Sequence, residues 1–230
     1  MGKWKKWLSA GLFTAMLGTA IIAGPTADVS ANAGNKPYNI ENVSPDAHLA
    51  PSVGDSSSKT SSKAWHKIDG VCYNGSGKKV EGAITRGMDV SEWQGKINWK
   101  EAKKDLDFAF VRISYGTRHL DDYYAYNMTE AEAADVPVGT YVYSLAKTNK
   151  EALAEAQLAI RQMQGHKVSY PVAFDLEDEA TLGTLTRKEI SQIALTFCDE
   201  IRKAGYTPIL YMNLNWYNNF VDWNVLEGSG

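Results

Sequence analysis

Three acidic side chains carry the chemistry that this sequence can offer. Asp89 lies in Gly87-Met-Asp-Val-Ser-Glu-Trp-Gln-Gly95, and Asp175 and Glu177 lie in Pro171-Val-Ala-Phe-Asp-Leu-Glu-Asp178. Both segments read as short apolar strands that end in carboxylates. Residues two apart on a strand face the same side, roughly 6–7 Å apart at about 3.3 Å rise per residue, so Asp175 and Glu177 are expected to look into one cavity. Crowded carboxylates suit cleavage of a glycosidic bond, which needs one acid that keeps its proton beside another that stays ionised. The competing reading is a solvated acidic turn from Asp175 to Glu179; the apolar run before it speaks for a buried site instead.

The elements that must position these acids alternate regularly after Arg86. Strands are predicted at 87–90, 108–114, 138–144, 172–176 and 208–212, with helices between them. Three helix starts resemble capping boxes, in which two side chains satisfy each other's orphan amides: Asn98 with Glu101, Thr148 with Glu151, and Thr186 with Glu189. The helix after Thr186 places Ile190, Ile193, Phe197 and Ile201 on one stripe and stops at Gly205, ahead of Pro208. A further helix is expected from about Asp122 to Ala134, ending before Val136-Pro137. Strands alternating with helices make an α/β fold with a parallel sheet, open or closed into a barrel. Acids and the tyrosines Tyr115, Tyr141, Tyr143 and Tyr211 gather at strand carboxyl ends, the face on which barrel enzymes carry their sites. No Gly-x-Gly-x-x-Gly turn follows the first strand, which weighs against a nucleotide-binding sheet.

The chain opens with Lys3, Lys5 and Lys6, a mostly apolar stretch from Trp7 to Gly24, and small residues at Ala31-Asn32-Ala33. Residues 1–33 are therefore expected to be a secretory signal peptide rather than a membrane anchor, giving a secreted, cell-wall-associated protein with no stable membrane association after cleavage. Residues 34–64 are rich in Ser, Pro, Asn and Gly and read as a flexible linker. Residues 65–85 suggest a short hairpin, with Val71-Cys72-Tyr73 and Lys79-Val80-Glu81-Gly82 flanking a turn at Asn74–Gly77. The full chain has a formal charge of −3, and its first 33 residues contribute +2, so the remainder carries −5. That balance supplies no basic footprint for nucleic acid. His48, His66, His119 and His166 are scattered without metal-site spacing, so neither metal nor other cofactor is implied. Cys72 and Cys198 allow a disulfide without requiring one.

In Gly87–Gly95, followed by Ile97-Asn98-Trp99, the sequence resembles the opening signature of glycoside hydrolase family 25. Phe110-Val-Arg-Ile-Ser-Tyr-Gly116, Val138-Gly-Thr-Tyr-Val-Tyr143, Phe174-Asp-Leu-Glu177 and Pro208-Ile-Leu-Tyr211 resemble the family's later strands, in order. The likeness runs from about Arg86 to about Trp216 and implies an irregular β/α barrel. It further implies a lysozyme acting as a 1,4-β-N-acetylmuramidase on bacterial peptidoglycan, expected to work as a monomer. Carried over by motif, Glu177 would be the general acid, Asp175 its neighbouring carboxylate and Asp89 a third acid of the pocket, with Tyr141, Tyr211, Tyr143 and Gln94 as sugar contacts. The family usually has Asp where Asn98 stands, and Asn caps a helix equally well. Residues 86–230 number 145, whereas a complete barrel takes roughly 200–250, so a C-terminally truncated, incomplete barrel is expected.

The resemblance also suggests how the acids share the work. Three carboxylates around one small cavity disfavour one another's ionisation, so one should hold a proton near neutral pH. Glu177 has the longer reach for that role, with Asp175 as the anion, either stabilising charge on the sugar or orienting the substrate's own acetamido group. Two other readings stand beside this one: a wall-binding protein without turnover, and another secreted barrel glycosidase such as a chitinase.

Overall fold

The computed structural model describes residues 66–74 and 77–228 together with the backbone of Thr19–Ala20. The signal peptide (apart from Thr19–Ala20) and the linker expected from the sequence lie outside the described residues. The sheet that carries the chain consists of β4 (Gly87–Val90), β5 (Phe108–Tyr115), β7 (Val138–Tyr143), β8 (Val168–Asp175) and β9 (Pro208–Tyr211). These five strands neighbour one another in that order and all pair in parallel. Two short segments add antiparallel edges: β1 (Thr19–Ala20) along β4, and β6 (His119–Leu120) folded back on the end of β5. Pairing of a last strand with the first, which would close a barrel, is not among the pairings of the described residues.

Each parallel step is bridged by helix, as the alternating pattern requires: α1 (Trp99–Ala102), α2 (Tyr124–Ala133), α3 (Asn149–Met163) and α5 (Arg187–Lys203). Three shorter helices were not foreseen: α4 (Glu179–Leu182), α6 (Leu214–Asn219) and α7 (Trp223–Gly228). The cap at Thr186 is a full capping box, with Thr186 and Glu189 satisfying each other's backbone. The other two are half-formed. Asn98 and Thr148 accept from the amides of Glu101 and Glu151, but Glu151 turns its carboxylate to the amide of Lys147.

Alternation along the strands sorts side chains into two layers. Val111, Ile113, Val142, Val172 and Phe174 point outward into the main core against the helices, where Phe174 stacks on Phe197 of α5 with ring centres 4.0 Å apart. Phe108, Phe110 and Ala173 point to the inner face, joined by Tyr141, Tyr170, Ile209 and Tyr211. Two glycines make room for this inner layer. A Cβ on Gly87 would sit 2.2 Å from the Phe108 ring, and one on Gly139 would sit 2.5 Å from the Pro171 carbonyl and 2.7 Å from the Phe110 ring.

The N-terminal ribbon keeps the expected pairing of Tyr73 with Lys79 and adds a strand ahead of it. β2 (His66–Ile68) pairs with β3 (Val71–Tyr73) around Asp69-Gly70, both with positive φ, as the tight turn of a two-residue hairpin demands. On the other side of β3, Lys79 bridges Tyr73, the Val80 amide donates to the Cys72 carbonyl at 2.9 Å, and the Asn74 amide donates to the Lys78 carbonyl at 2.9 Å. Lys67 ties the hairpin to Asp107, whose carboxylate also accepts from the Arg86 amide at 2.7 Å. Cys72 and Cys198 are both buried and both free. Among the described residues no helix is long and apolar enough to cross a membrane.

Candidate active site

The strand register brings the sequence-predicted acids to one end of the inner face. Asp89 lies opposite Phe110, Arg112 opposite Tyr141, Tyr143 opposite Asp175, and Asp175 opposite Tyr211. Asp89, Arg112, Tyr141, Tyr143, Asp175 and Tyr211 therefore stand at strand carboxyl ends on one surface, above the Phe108 and Phe110 rings. Glu177 follows two residues past the end of β8, where the Leu176 amide donating to the Tyr211 carbonyl at 3.0 Å keeps the chain aligned with β9. A register shift between Arg112 and Ser114 breaks the ladder at this height, as irregularities beside sites commonly do.

The three carboxyls occupy a medium that disfavours their charge. Burial lifts Asp89 to about 7, although the residue keeps some solvent contact. Burial also lifts Glu177 to about 7, against the pull of hydrogen bonds from the side chain and backbone of Asn213 and with a further push from Asp89. Asp175 is the most enclosed and is raised well above the usual carboxylate range, first by burial and then by the charges of Glu177 and Asp89; Arg112 acts in the opposite direction. Its Oδ1 is buried without a hydrogen-bond partner. The three form one coupled group that holds protons at pH values where isolated carboxyls have lost them.

The tyrosines line the same surface. Tyr141 and Tyr211 are both held far above the usual phenol range by burial, with Asp89 and Asp175 adding to the effect. Their hydroxyls therefore stay protonated and able to donate. Tyr143 is likewise raised, by burial and by Asp175, and its ring stacks on Tyr115 at 4.9 Å. Gln94 sits in the loop after β4, but its Oε1 accepts from both the amide and the hydroxyl of Ser91, so the side chain closes a local cap.

Several polar residues that brace this end were not singled out from the sequence. Asn213 caps α6 through Trp216 and holds Glu177. Asp178 caps α4 and accepts a 3.0 Å hydrogen bond from the Tyr115 hydroxyl, which pins the turn next to Glu177. Glu155 of α3, almost fully buried, accepts from Ser144 Oγ at 2.8 Å and the Leu145 amide at 3.0 Å, and burial lifts its carboxyl to about 7. The Ser144 amide in turn donates to the Asp175 carbonyl, so Glu155 braces the turn beside the deepest acid. Arg112 Nε donates to Asp121 at 2.8 Å, and Nη2 lies 2.9 Å from Glu92. A charged side chain inside the otherwise apolar Phe108–Tyr115 run was a readable signal for it.

Comparisons with known proteins bear on the family and the fold. The profile of the family described as Glycosyl hydrolases family 25 matches residues 88–228. The chain is 26% identical over 139 residues to the uncharacterized protein YegX of Escherichia coli K12, covering 57% of this chain and 49% of that protein. It is 38% identical over 60 residues to Lysozyme M1 of Streptomyces globisporus, covering 26% of this chain and 20% of the relative. The modular autolysin LytC of Streptococcus pneumoniae superposes with a TM-score of 0.58 at 24% identity, over 67% of this chain and 39% of its own, a likeness of fold. This chain spans about half the length of YegX, the first of the curated relatives it matches.

Proposed function

The chain belongs to family 25 of the glycosyl hydrolases, and from that premise we propose that it is a secreted lysozyme that hydrolyses the β-1,4 bond between N-acetylmuramic acid and N-acetylglucosamine in bacterial peptidoglycan. The observation that carries this reading is the placement of Asp89, Asp175 and Glu177 on one enclosed face, where burial keeps protons on the group at neutral pH.

In this mechanism Glu177 is the general acid. It stands past the strand end, is less enclosed than Asp175, and is oriented by Asn213, so its proton is within reach of a glycosidic oxygen entering the cleft. Asp175 serves as the anion beneath the sugar. Its buried, unpartnered Oδ1 is an acceptor suited to an amide N–H, and the acetamido group of either wall sugar offers one. An acetamide held that way can turn its oxygen to the anomeric carbon as that carbon gains positive charge. Asp89 supports the charge on the opposite side, and Tyr141 and Tyr211 offer protonated hydroxyls and flat ring faces to the sugar.

The test is direct. The purified full chain is incubated with peptidoglycan, and new muramic-acid reducing ends are measured against chitin oligomers as a control. Release from peptidoglycan alone supports the lysozyme reading. Release from chitin alone assigns the site to a chitinase-like glycosidase, and binding to walls with no release from either substrate assigns it to wall recognition without turnover.

A further inference from the structure

The carboxyl rim of the sheet is tied by a repeated device. The first residue past one strand donates its amide to the carbonyl of the last residue of the next. Gly116 donates to Tyr143 at 2.8 Å, Ser144 to Asp175 at 3.0 Å and Leu176 to Tyr211 at 3.0 Å. These three bonds join β5, β7, β8 and β9 at the height of the acids. The middle bond lies nearest the chemistry. It follows directly on the pairing of Tyr143 with Asp175, and Glu177 stands two residues further along the chain.

Past that bond the chain turns into α3 and presents three donors in succession. The Ser144 hydroxyl donates to Glu155 Oε2 at 2.8 Å, and the Leu145 amide donates to Glu155 Oε1 at 3.0 Å. The Ala146 amide donates to the Ser144 oxygen at 3.2 Å, so one carboxyl holds the whole turn. It does so from the interior. Glu155 is 2% exposed, and Ala152 and Ala159, about one turn away on either side along α3, are fully buried. The groups acting on Glu155 are its two donors and the carboxylate of Glu151, with no cation among them. A carboxyl enclosed without a counterion carries a desolvation cost, which here only the turn offsets. A glutamine offers one acceptor oxygen where the turn presents two donors. Glu151 provides the contrast: one turn earlier on α3, it accepts from the Lys147 amide at 2.7 Å, outside the segment bonded to β8.

We propose that Glu155 is a positioning residue of the site: by holding Ser144 and Leu145 it fixes the backbone bond from Ser144 to Asp175, and with it the end of β8 from which Asp175 and Glu177 issue. The consequence for turnover rests on the muramidase reading; the fixing of the strand end does not.

The experiment compares the substrate-free full chain with Glu155→Gln, Ser144→Ala and Glu151→Ala by NMR. Two quantities are read: hydrogen exchange of the amide at position 144, and the carbon-13 titration of the Asp175 carboxyl. Exchange at position 144 should quicken by about 10-fold or more in Glu155→Gln and in Ser144→Ala, as the turn opens locally. In both, the Asp175 transition should move to lower pH, because a loosened strand end admits water to a carboxyl that burial raises. Ser144→Ala changes no charge, so a movement there reports position rather than field. Glu151→Ala should match the unaltered chain in both readouts. The proposal is overturned if exchange at position 144 or the Asp175 transition stays in place in either of the first two variants, or if Glu151→Ala moves them as far. Stability lost without those movements would make Glu155 a support of the fold alone. Should Glu155→Gln fail to give a cooperative thermal transition, Ser144→Ala decides by the same criteria. In a chain that cleaves peptidoglycan, Glu155→Gln should also lower kcat by roughly 10-fold with KM nearly constant, since a small misplacement of a reacting group is costly. An unaltered kcat there likewise overturns the proposal. A chain that releases nothing from peptidoglycan yet shows the expected exchange and titration retires the muramidase reading and keeps this one.

Discussion

The two ends of the same inner sheet face are built on opposite principles. Toward the amino ends of the strands, Phe108 stacks on Tyr170 at 4.8 Å and meets Phe110 edge-on at 6.0 Å, over glycines that leave the rings their space. Nothing there needs a partner, and dispersion plus area burial hold it. Toward the carboxyl ends, a few residues further along the same strands, stand Asp89, Arg112, Asp175, Tyr141 and Tyr211. Among them, Asp175 Oδ1 and Arg112 Nη2 are buried with no hydrogen-bond partner. The apolar end contributes stability, and by excluding water from below it makes the charged end expensive. A low-dielectric floor under carboxyls is what raises them into the range where an acid can donate at neutral pH.

The largest expected effect breaks the charged end. Glu177→Gln keeps shape and the Asn213 contact but has no proton to give. Turnover on peptidoglycan should fall by about 10²- to 10⁴-fold while wall binding survives, measured by reducing-end release and by cosedimentation with walls. Turnover at the unaltered rate would remove Glu177 from the acid's role. The next effect breaks the apolar end. Phe108 is completely buried and stacked, and Phe108→Ala should lower stability by about 3–5 kcal/mol through lost burial and the hole left behind, read by denaturant titration. A loss below about 1 kcal/mol would mean that the rings are not the floor described.

The sequence showed one of these ends better than the other. Period-two apolar strands, capping residues and the acid-bearing motifs made the parallel α/β order and the gathering of Asp89, Asp175 and Glu177 readable, because strand register follows from which face must be buried. Thr186 with Glu189 was legible for the same local reason. The bracing groups were not. Asn213 and Asp178 act on Glu177 and Tyr115 through the starts of α6 and α4, helices of six and four residues that are too short to show a period. Glu155 looked like one more helical glutamate, since only the packing of α3 on the turn after β7 turns it inward. Gln94, a sugar contact by its motif position, has a local use that its motif did not announce: its oxygen accepts from Ser91, three residues away. The expected pairing of Val71–Tyr73 with the Lys79 segment is present as the Tyr73–Lys79 bridge, and the tight turn at Asp69-Gly70 ahead of it, whose two central residues take positive φ, was the signal not used.

The third prediction turns the contrast into a pH dependence. Asp89 binds its proton up to about 7 in the folded chain, against an ordinary value of 3.8. A carboxyl raised on folding contributes stability that is complete below its unfolded pKa and is lost as pH rises through the folded one. The folded state should thus weaken between about pH 4 and 8, and Asp89→Asn, which has nothing to ionise, should escape that share of the loss. Relative to the unaltered chain it should gain on the order of 2–3 kcal/mol at pH 8 compared with pH 4, seen as melting curves that separate as pH rises. Curves that stay parallel across that range would show that the site is wetter than its enclosure implies.

The smallest effect tests whether the bracing of the charged end is separable from its chemistry. Tyr115→Phe retains the ring that stacks on Tyr143 and removes only the hydroxyl that donates to Asp178. Asp178 still caps α4 through the Thr181 amide, so one hydrogen bond to a carboxylate is lost and no cavity is made. Stability should fall by about 1–2 kcal/mol, a drop of roughly 2–8 °C in melting temperature for a domain of this size. If the hydroxyl also steadies the turn that carries Glu177, kcat should fall several-fold more than the stability change can account for, with KM nearly constant. A fall in stability with kcat untouched would confine Tyr115 to the scaffold and leave Asn213 as the group that aims the acid.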